Sequence, residues 1–180
     1  MAIVLPQGRL NNISDAPIRN YLAEHARILA VVGLQGNTFK PHTNTKTSIL
    51  FLQKWNDDPK AGPLCPKLKD YPIFFAVSQR CGKDNSGEYV YLHDDKGRRL
   101  NDLHGHPIVD HDLFNLRRFV TGQYLQRLSA ARTAADKEKV ESDYRKLLPY
   151  VPDQPGIADA FREWGRTQGF PFCVDEKQGD

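Results

Sequence analysis

ILAVVGLQGNTFKPHTNTKTSILFLQKW, residues 28–55, decides how the amino-terminal part of this chain folds. Ile28 to Val32 is an unbroken apolar run closed by Gly33. Gly36 to Lys46 is polar and carries one aromatic residue, Phe39. Thr47 to Gln53 is apolar again and leads into Trp55. Short apolar runs without alternation, bounded by turn residues, read as strands buried on both faces of an α/β sheet. Working back towards Met1, Ala2 to Leu5 is another such run, stopped by Pro6, and is expected as a buried strand of a parallel sheet. Asn11, Asn12 and Ser14 are helix-capping types, and Pro17 suits a first helical turn. Ile18, Leu22 and Leu29 keep helical spacing, which predicts a helix from Asp15 to about Ala26.

The order strand, helix, strand, loop, strand makes the first two strands a parallel βαβ unit with a right-handed crossover. Three strands and one helix cannot cover their own apolar faces, and the first strand keeps an unpaired edge. Residues 1–56 therefore read as part of a sheet whose remainder lies elsewhere.

Beyond Trp55, Asn56 to Lys69 holds Pro59, Gly62, Pro63 and Pro66 and reads as a linker. Ile73 to Ser78 is a strand, Gly82 to Gly87 a turn, and Glu88 to Leu92 is expected to pair back onto that strand as a β-hairpin. Asp94 to Asn101 is a turn around Gly97. Residues 112–148 are mostly helical, with Leu113, Leu116, Val120, Tyr124 and Leu128 at helical spacing. Thr133 to Glu141 is charged and marks a helix break or an exposed face. Pro149 to Gly156 ends that region, Ile157 to Gln168 is a last helix carrying Phe161 and Trp164, and the polar tail after Val174 is expected to fray. No internal repeat is evident. The organisation is a sheet segment at 1–56, a linker with hairpin at 57–111, and a helical carboxy-terminal region at 112–180.

The composition fits that picture. With 180 residues, 39% hydrophobic and 26% charged, the chain is neither a disordered tail nor a membrane span. A chain this long buries about two-thirds of its unfolded surface and needs no disulfide staple. Cys65, Cys81 and Cys173 are odd in number and lack a CxxC pair, against a disulfide framework or a cysteine-rich zinc module. Pro6, Gln7 and Arg9 interrupt the apolar start, so no signal peptide is read and a cytoplasmic location is expected. The net charge of +3 hides an asymmetry. Residues 1–56 carry six basic side chains against two acidic ones, whereas residues 101–180 carry eleven against thirteen. A basic first third suits a polyanion partner, and equally a solvated face.

Four constellations invite chemistry. His104, His106, Asp110, His111 and Asp112 are metal-ligand types, but their spacing matches no established motif, and Asp112 also suits a helix cap. Gly33, Gly36 and Lys40 follow a strand as in a phosphate loop, yet miss the GxxxxGK[ST] pattern and lead to a strand. The three cysteines lack a nucleophile signature and read as buried thiols. Phe39 is different. It lies between two buried strands, with Lys40, His42, Thr43, Thr45 and Lys46 beside it. At the carboxyl edge of an α/β sheet such a loop faces the ligand crevice. An aromatic with basic neighbours suits an extruded nucleobase with its phosphates nearby, or else a ring tucked into the core.

Residues 2–12, AIVLPQGRLNN, the segment Ile18 to Ala26 and the stretch through Trp55 closely resemble the modification subunits of type I restriction systems. These belong to the adenine-specific DNA methylases, which transfer a methyl group from S-adenosylmethionine to the exocyclic amine of adenine. The likeness continues more loosely through IFFAVSQRCGKDNSGEY (Ile73 to Tyr89) and HGHPIVDHDL (His104 to Leu113). It implies the second half of a Rossmann-like sheet: fifth strand, helix, sixth strand, loop and antiparallel seventh strand. By the same resemblance Phe39 matches the aromatic that stacks on the flipped adenine. Lys40, His42, Thr43 and Lys46 fall in the matching loop as possible DNA or substrate contacts.

The family's glycine-rich DPxxGxGG-type cofactor turn has no counterpart here, and no Pro-Pro dipeptide occurs for its Asn-Pro-Pro loop. The expectation is a carboxy-terminal portion of such an enzyme, inactive alone, with no catalytic, cofactor-binding or metal residue of its own. S-adenosylmethionine would belong to the complete enzyme. The implied partners are DNA, the missing amino-terminal half, and specificity and restriction subunits. Rival readings are a non-catalytic DNA- or subunit-binding module and a metal-dependent hydrolase at His104 to Asp112.

Overall fold

The structure is a computed structural model and describes residues 1–173. It divides into two compact units. The first comprises Met1–Gln79 with Asn85–Gly87, and the second comprises Arg80–Asp84 with the chain from Glu88 onward.

The first unit is a four-stranded mixed sheet. Its strands are β1 (Ala2–Pro6), β2 (Ala26–Gly33), β3 (Thr47–Lys54) and β4 (Phe74–Val77), in the order β1-β3-β2-β4. A short helix α1 (Gly8–Asn11) and a ten-residue helix α2 (Ala16–His25) link β1 to β2. The α/β class and the succession of elements match the sequence expectation. So do the strand directions: β1 and β2 run parallel, and β3 lies between them and runs antiparallel to both, as the resemblance implies. β3 is apolar on both faces and reaches β2 through a simple loop, which antiparallel neighbours allow. It therefore takes the central place, and β1 and β2 run parallel to each other at one strand's remove. β4 pairs parallel with β2, with Ala30 opposite Phe74 and Gly33 opposite Val77.

β1 also differs from the buried strand that was expected. It lies at the sheet edge, and its residues alternate between exposed and half-buried, with Val4 50% exposed. With one hydrogen-bonded neighbour and one covered face, an edge strand buries only alternate residues. Ala26, Leu50 and Leu52 form the core, with Ile3, Leu5, Leu22, Ile28 and Val31 packed on it. A register shift between Ile28 and Ala30 leaves Leu29 outside the ladder.

The second unit begins with narrow antiparallel turns. Glu88 to Leu92 does not pair with β4. Lys83 faces Tyr89 and Tyr91 faces Val109 instead. The turns share one design that the sequence reading missed as a repeat. Asp84, Asp94 and Asp102 each accept, on Oδ1, the N–H four residues on, from Glu88, Arg98 and His106. The residue third after each aspartate is glycine with positive φ: Gly87 at 96°, Gly97 at 74° and Gly105 at 89°.

The helices follow as α3 (Leu116–Ala130), α4 (Ala134–Leu147) and α5 (Ile157–Thr167). Asn115 caps α3 by accepting the Arg118 N–H, and Thr133 and Asp136 form a reciprocal cap on α4. The charged Thr133 to Glu141 stretch therefore holds both the expected break and an exposed helix start. Leu103, Ile108, Leu116, Val120, Leu147 and Val151 make the core, and Tyr124 stacks on Tyr144 at 4.3 Å. Leu113, expected on the buried stripe, precedes the helix and is 39% exposed. The tail after Val174 lies outside the described residues.

Leu50 is 2% exposed at the centre of β3. Leu50→Ala should lower the unfolding free energy by about 2–5 kcal/mol, read as a shift of the urea midpoint with an unchanged slope.

Candidate functional site

The loop from Leu34 to Lys46 is built from the end of β2 to the start of β3. Its neck is closed by the Leu34 N–H donating to Thr47 O and the Gln7 N–H donating to Lys46 O, each at 2.9 Å. Inside, short turns follow one another. The Thr38 N–H and hydroxyl both donate to Gln35 O, at 3.0 and 2.6 Å. The Lys40 N–H donates to Asn37 O at 3.0 Å, and the N–H groups of His42 and Thr43 both donate to Phe39 O, at 3.0 and 3.2 Å. The Thr45 N–H donates to the Thr43 hydroxyl at 3.1 Å. The peptide group on the carboxyl side of Phe39, its C=O and the Lys40 N–H, is thus satisfied within the loop, which helps a polar segment hold one shape.

Phe39 is 37% exposed, and among the described residues no other ring and no cation lies against its face. Its ring is neither buried in the core nor stacked. His42 and Lys46 are exposed, and Thr43 is half-buried. Lys40 turns its ammonium onto the Asn85 carbonyl at 2.8 Å. The structure therefore gathers Phe39, Lys40, His42, Thr43 and Lys46 on one loop.

Sequence reasoning missed Asn37 and Asn85. Asn37 is 8% exposed, and its amide donates to Asn85 Oδ1 at 3.1 Å. A buried asparagine beside a glycine is a local signal for a structural turn. Nothing local ties it to a residue 48 positions away.

The His/Asp cluster is dispersed. Asp102 accepts from the N–H groups of His104 and His106 and from the Gln123 amide at 2.8 Å. Burial raises the Asp102 pKa, but these hydrogen bonds, with His106 nearby, outweigh it and hold the carboxyl below its ordinary range. The two histidines thus decorate a turn. Asp110 is bonded to the Arg80 guanidinium at 2.9 Å, and Asp112 accepts the Arg80 N–H at 3.0 Å. His111 is half-buried, its ring edge-on to Phe114 at 4.4 Å, with Nδ1 facing the Leu113 N–H at 3.2 Å. Among the described residues no three metal-ligating side chains converge. Burial also pushes the Cys65 and Cys173 thiols upward, away from thiolate reactivity.

Gly33 and Gly36 precede no helix, since the loop runs straight into β3. Among the described residues no helix is long and apolar enough to cross a membrane. A family model described as N-6 DNA methylase matches residues 1–114, well over half of the chain. No curated protein matches it.

Burial lowers the His111 pKa from its ordinary 6.5, against the pull of Asp112 and Asp110. The unfolded imidazole takes up a proton below 6.5 while the folded one resists, so the unfolded state binds more protons there. Stability is full above that value and falls as pH drops through the lower folded pKa. Thermal denaturation from about pH 7.5 to about pH 5 should show a shallower loss for His111→Gln than for the parent chain.

Proposed function

Because the chain belongs to the N-6 DNA methylase family, we propose that it serves an S-adenosylmethionine-dependent, adenine-specific DNA methyltransferase of a type I restriction–modification system. Residues 1–56 are read as the carboxy-terminal half of the catalytic domain, residues 57–111 as a linker and hairpin extension, and residues 112–180 as a helical carboxy-terminal region. The observation that carries this reading is Phe39. Its ring is half-exposed and unstacked among the described residues, on a loop crossed by several backbone hydrogen bonds of its own. A base turned out of a duplex loses its stacking neighbours and regains one on an aromatic face. His42, Thr43 and Lys46 present polar and basic groups beside that face, where sugar and phosphate would lie.

The described residues of the first unit do not fit S-adenosylmethionine. β1, β2 and β4 run into Gln7, Leu34 and Ser78, with no carboxylate placed for ribose hydroxyls. The buried carboxylate Asp15 accepts from Arg9 on Oδ1 at 2.9 Å, and its buried Oδ2 has no hydrogen-bond partner among the described residues. No methyl-transfer step is derived from these residues, and no catalytic residue is assigned among them. Their part is to capture and hold the base, while the groups that hold the donor and the target amine come from another part of the enzyme. DNA, that other half, and specificity and restriction subunits are the proposed partners. The open edge of β1 supports the first of the protein partners, since a sheet edge offers backbone groups for a further strand.

In enzyme completed with the half that carries the cofactor turn, Phe39→Ala should weaken capture of the flipped base by about 1–3 kcal/mol. Unchanged DNA affinity and kinetics would remove Phe39 from the site. Titration calorimetry of this chain alone with S-adenosylmethionine should show no saturable heat. Stoichiometric micromolar binding would overturn the assignment of the cofactor to another part.

A further inference from the structure

Asn85–Gly87 is grouped with the first unit, although the residues on either side of it belong to the second. Its links to the Phe39 loop explain that grouping. The Asn37 amide donates to Asn85 Oδ1 at 3.1 Å, and the Lys40 ammonium donates to Asn85 O at 2.8 Å. Gly87 presses on the backbone just beyond. A Cβ at this position would lie 2.8 Å from Pro41 N and 2.9 Å from the Lys40 carbonyl carbon, and φ is +96°. Only glycine suits both the approach and the backbone conformation. The ties fall two residues before Phe39, one after it and two after it, so they bracket the ring without touching its open face.

A surface loop without such ties samples many conformations, and binding then has to order it. A loop already held through its buried Asn37 amide presents its aromatic ready to stack. We infer that Asn85–Gly87 is a latch that fixes the Phe39 loop in one conformation, which makes Asn85 a positioning residue for the base-stacking ring. The inference rests on the reading of Phe39 as the base-stacking residue, but the latch itself is tested without DNA.

The test is hydrogen exchange, read by mass spectrometry, on the full chain and two variants. Asn85→Leu removes the side-chain acceptor, whereas Asn85→Asp keeps an oxygen facing the Asn37 amide. Amides of the 37–46 segment should exchange about tenfold faster in Asn85→Leu and near the parent rate in Asn85→Asp, with β2 and β3 unchanged in both. Parent-like exchange of the loop in Asn85→Leu overturns the latch, and so does an Asn85→Asp loop as fast as that of Asn85→Leu. If Asn85→Leu loosens the strands as well, Asn37→Ala probes the same bond from the loop side. Strand loosening there too would mean the bond supports the sheet and not the loop. DNA assays of Phe39→Ala judge base stacking and exchange judges the latch, so either can fail alone.

Discussion

The pairing of β3 with β1 on one side and β2 on the other is the constraint on which the first unit depends. It holds two strands parallel at one strand's remove and gives the sheet its mixed character. It also fixes the ends of the Phe39 loop. β2 ends at Gly33 and β3 begins at Thr47 on the ladder the two strands share, with Gly33 paired to Ser48. The loop is therefore anchored at both feet by backbone hydrogen bonds whose register is set by burial of Leu50 and Leu52. A one-residue slip would turn those side chains out of the core and move the loop with them.

Within that frame, polar satisfaction determines what the loop offers. Thr38, Asn37, Lys40 and Thr43 spend hydrogen-bonding groups inside the loop or on Asn85, and Phe39 is left with an open ring. A buried asparagine without a partner would be costly, so the Asn37–Asn85 pair is favourable largely through the penalty it avoids. The second unit uses the same economy in its turns. One aspartate per turn accepts backbone N–H groups that a tight reversal leaves without a ladder partner, and a glycine supplies the positive φ. His104 and His106 sit at such a turn, where Asp102 accepts both of their N–H groups.

Much of this was legible in residue order. The apolar runs at Ala2–Leu5, Ile28–Val32 and Thr47–Gln53 became strands, the capping residues before Pro17 preceded a helix, and the charged stretch at Thr133 opened a new one. Local preference and periodicity suffice for such features, because the forces that select them act over a few residues. The mistaken pairing, Glu88–Leu92 beside Phe74–Val77, was a choice between partners beyond the reach of local preference. Apolar runs look alike to one another, and nothing in a run records which neighbour will take its hydrogen bonds.

The sequence by itself determined the α/β class, the succession of strands and helices, and the presence of one aromatic in a basic loop between two strands. These are written in side-chain type and spacing. Only the tertiary structure decided that β3 is central, that β1 is an exposed edge, that His104 to Asp112 disperses, and that Asn85 and Gly87 grip the loop around Phe39. Each of these depends on long-range pairing of backbone and polar groups, whose energy is gained only once the chain has closed on itself.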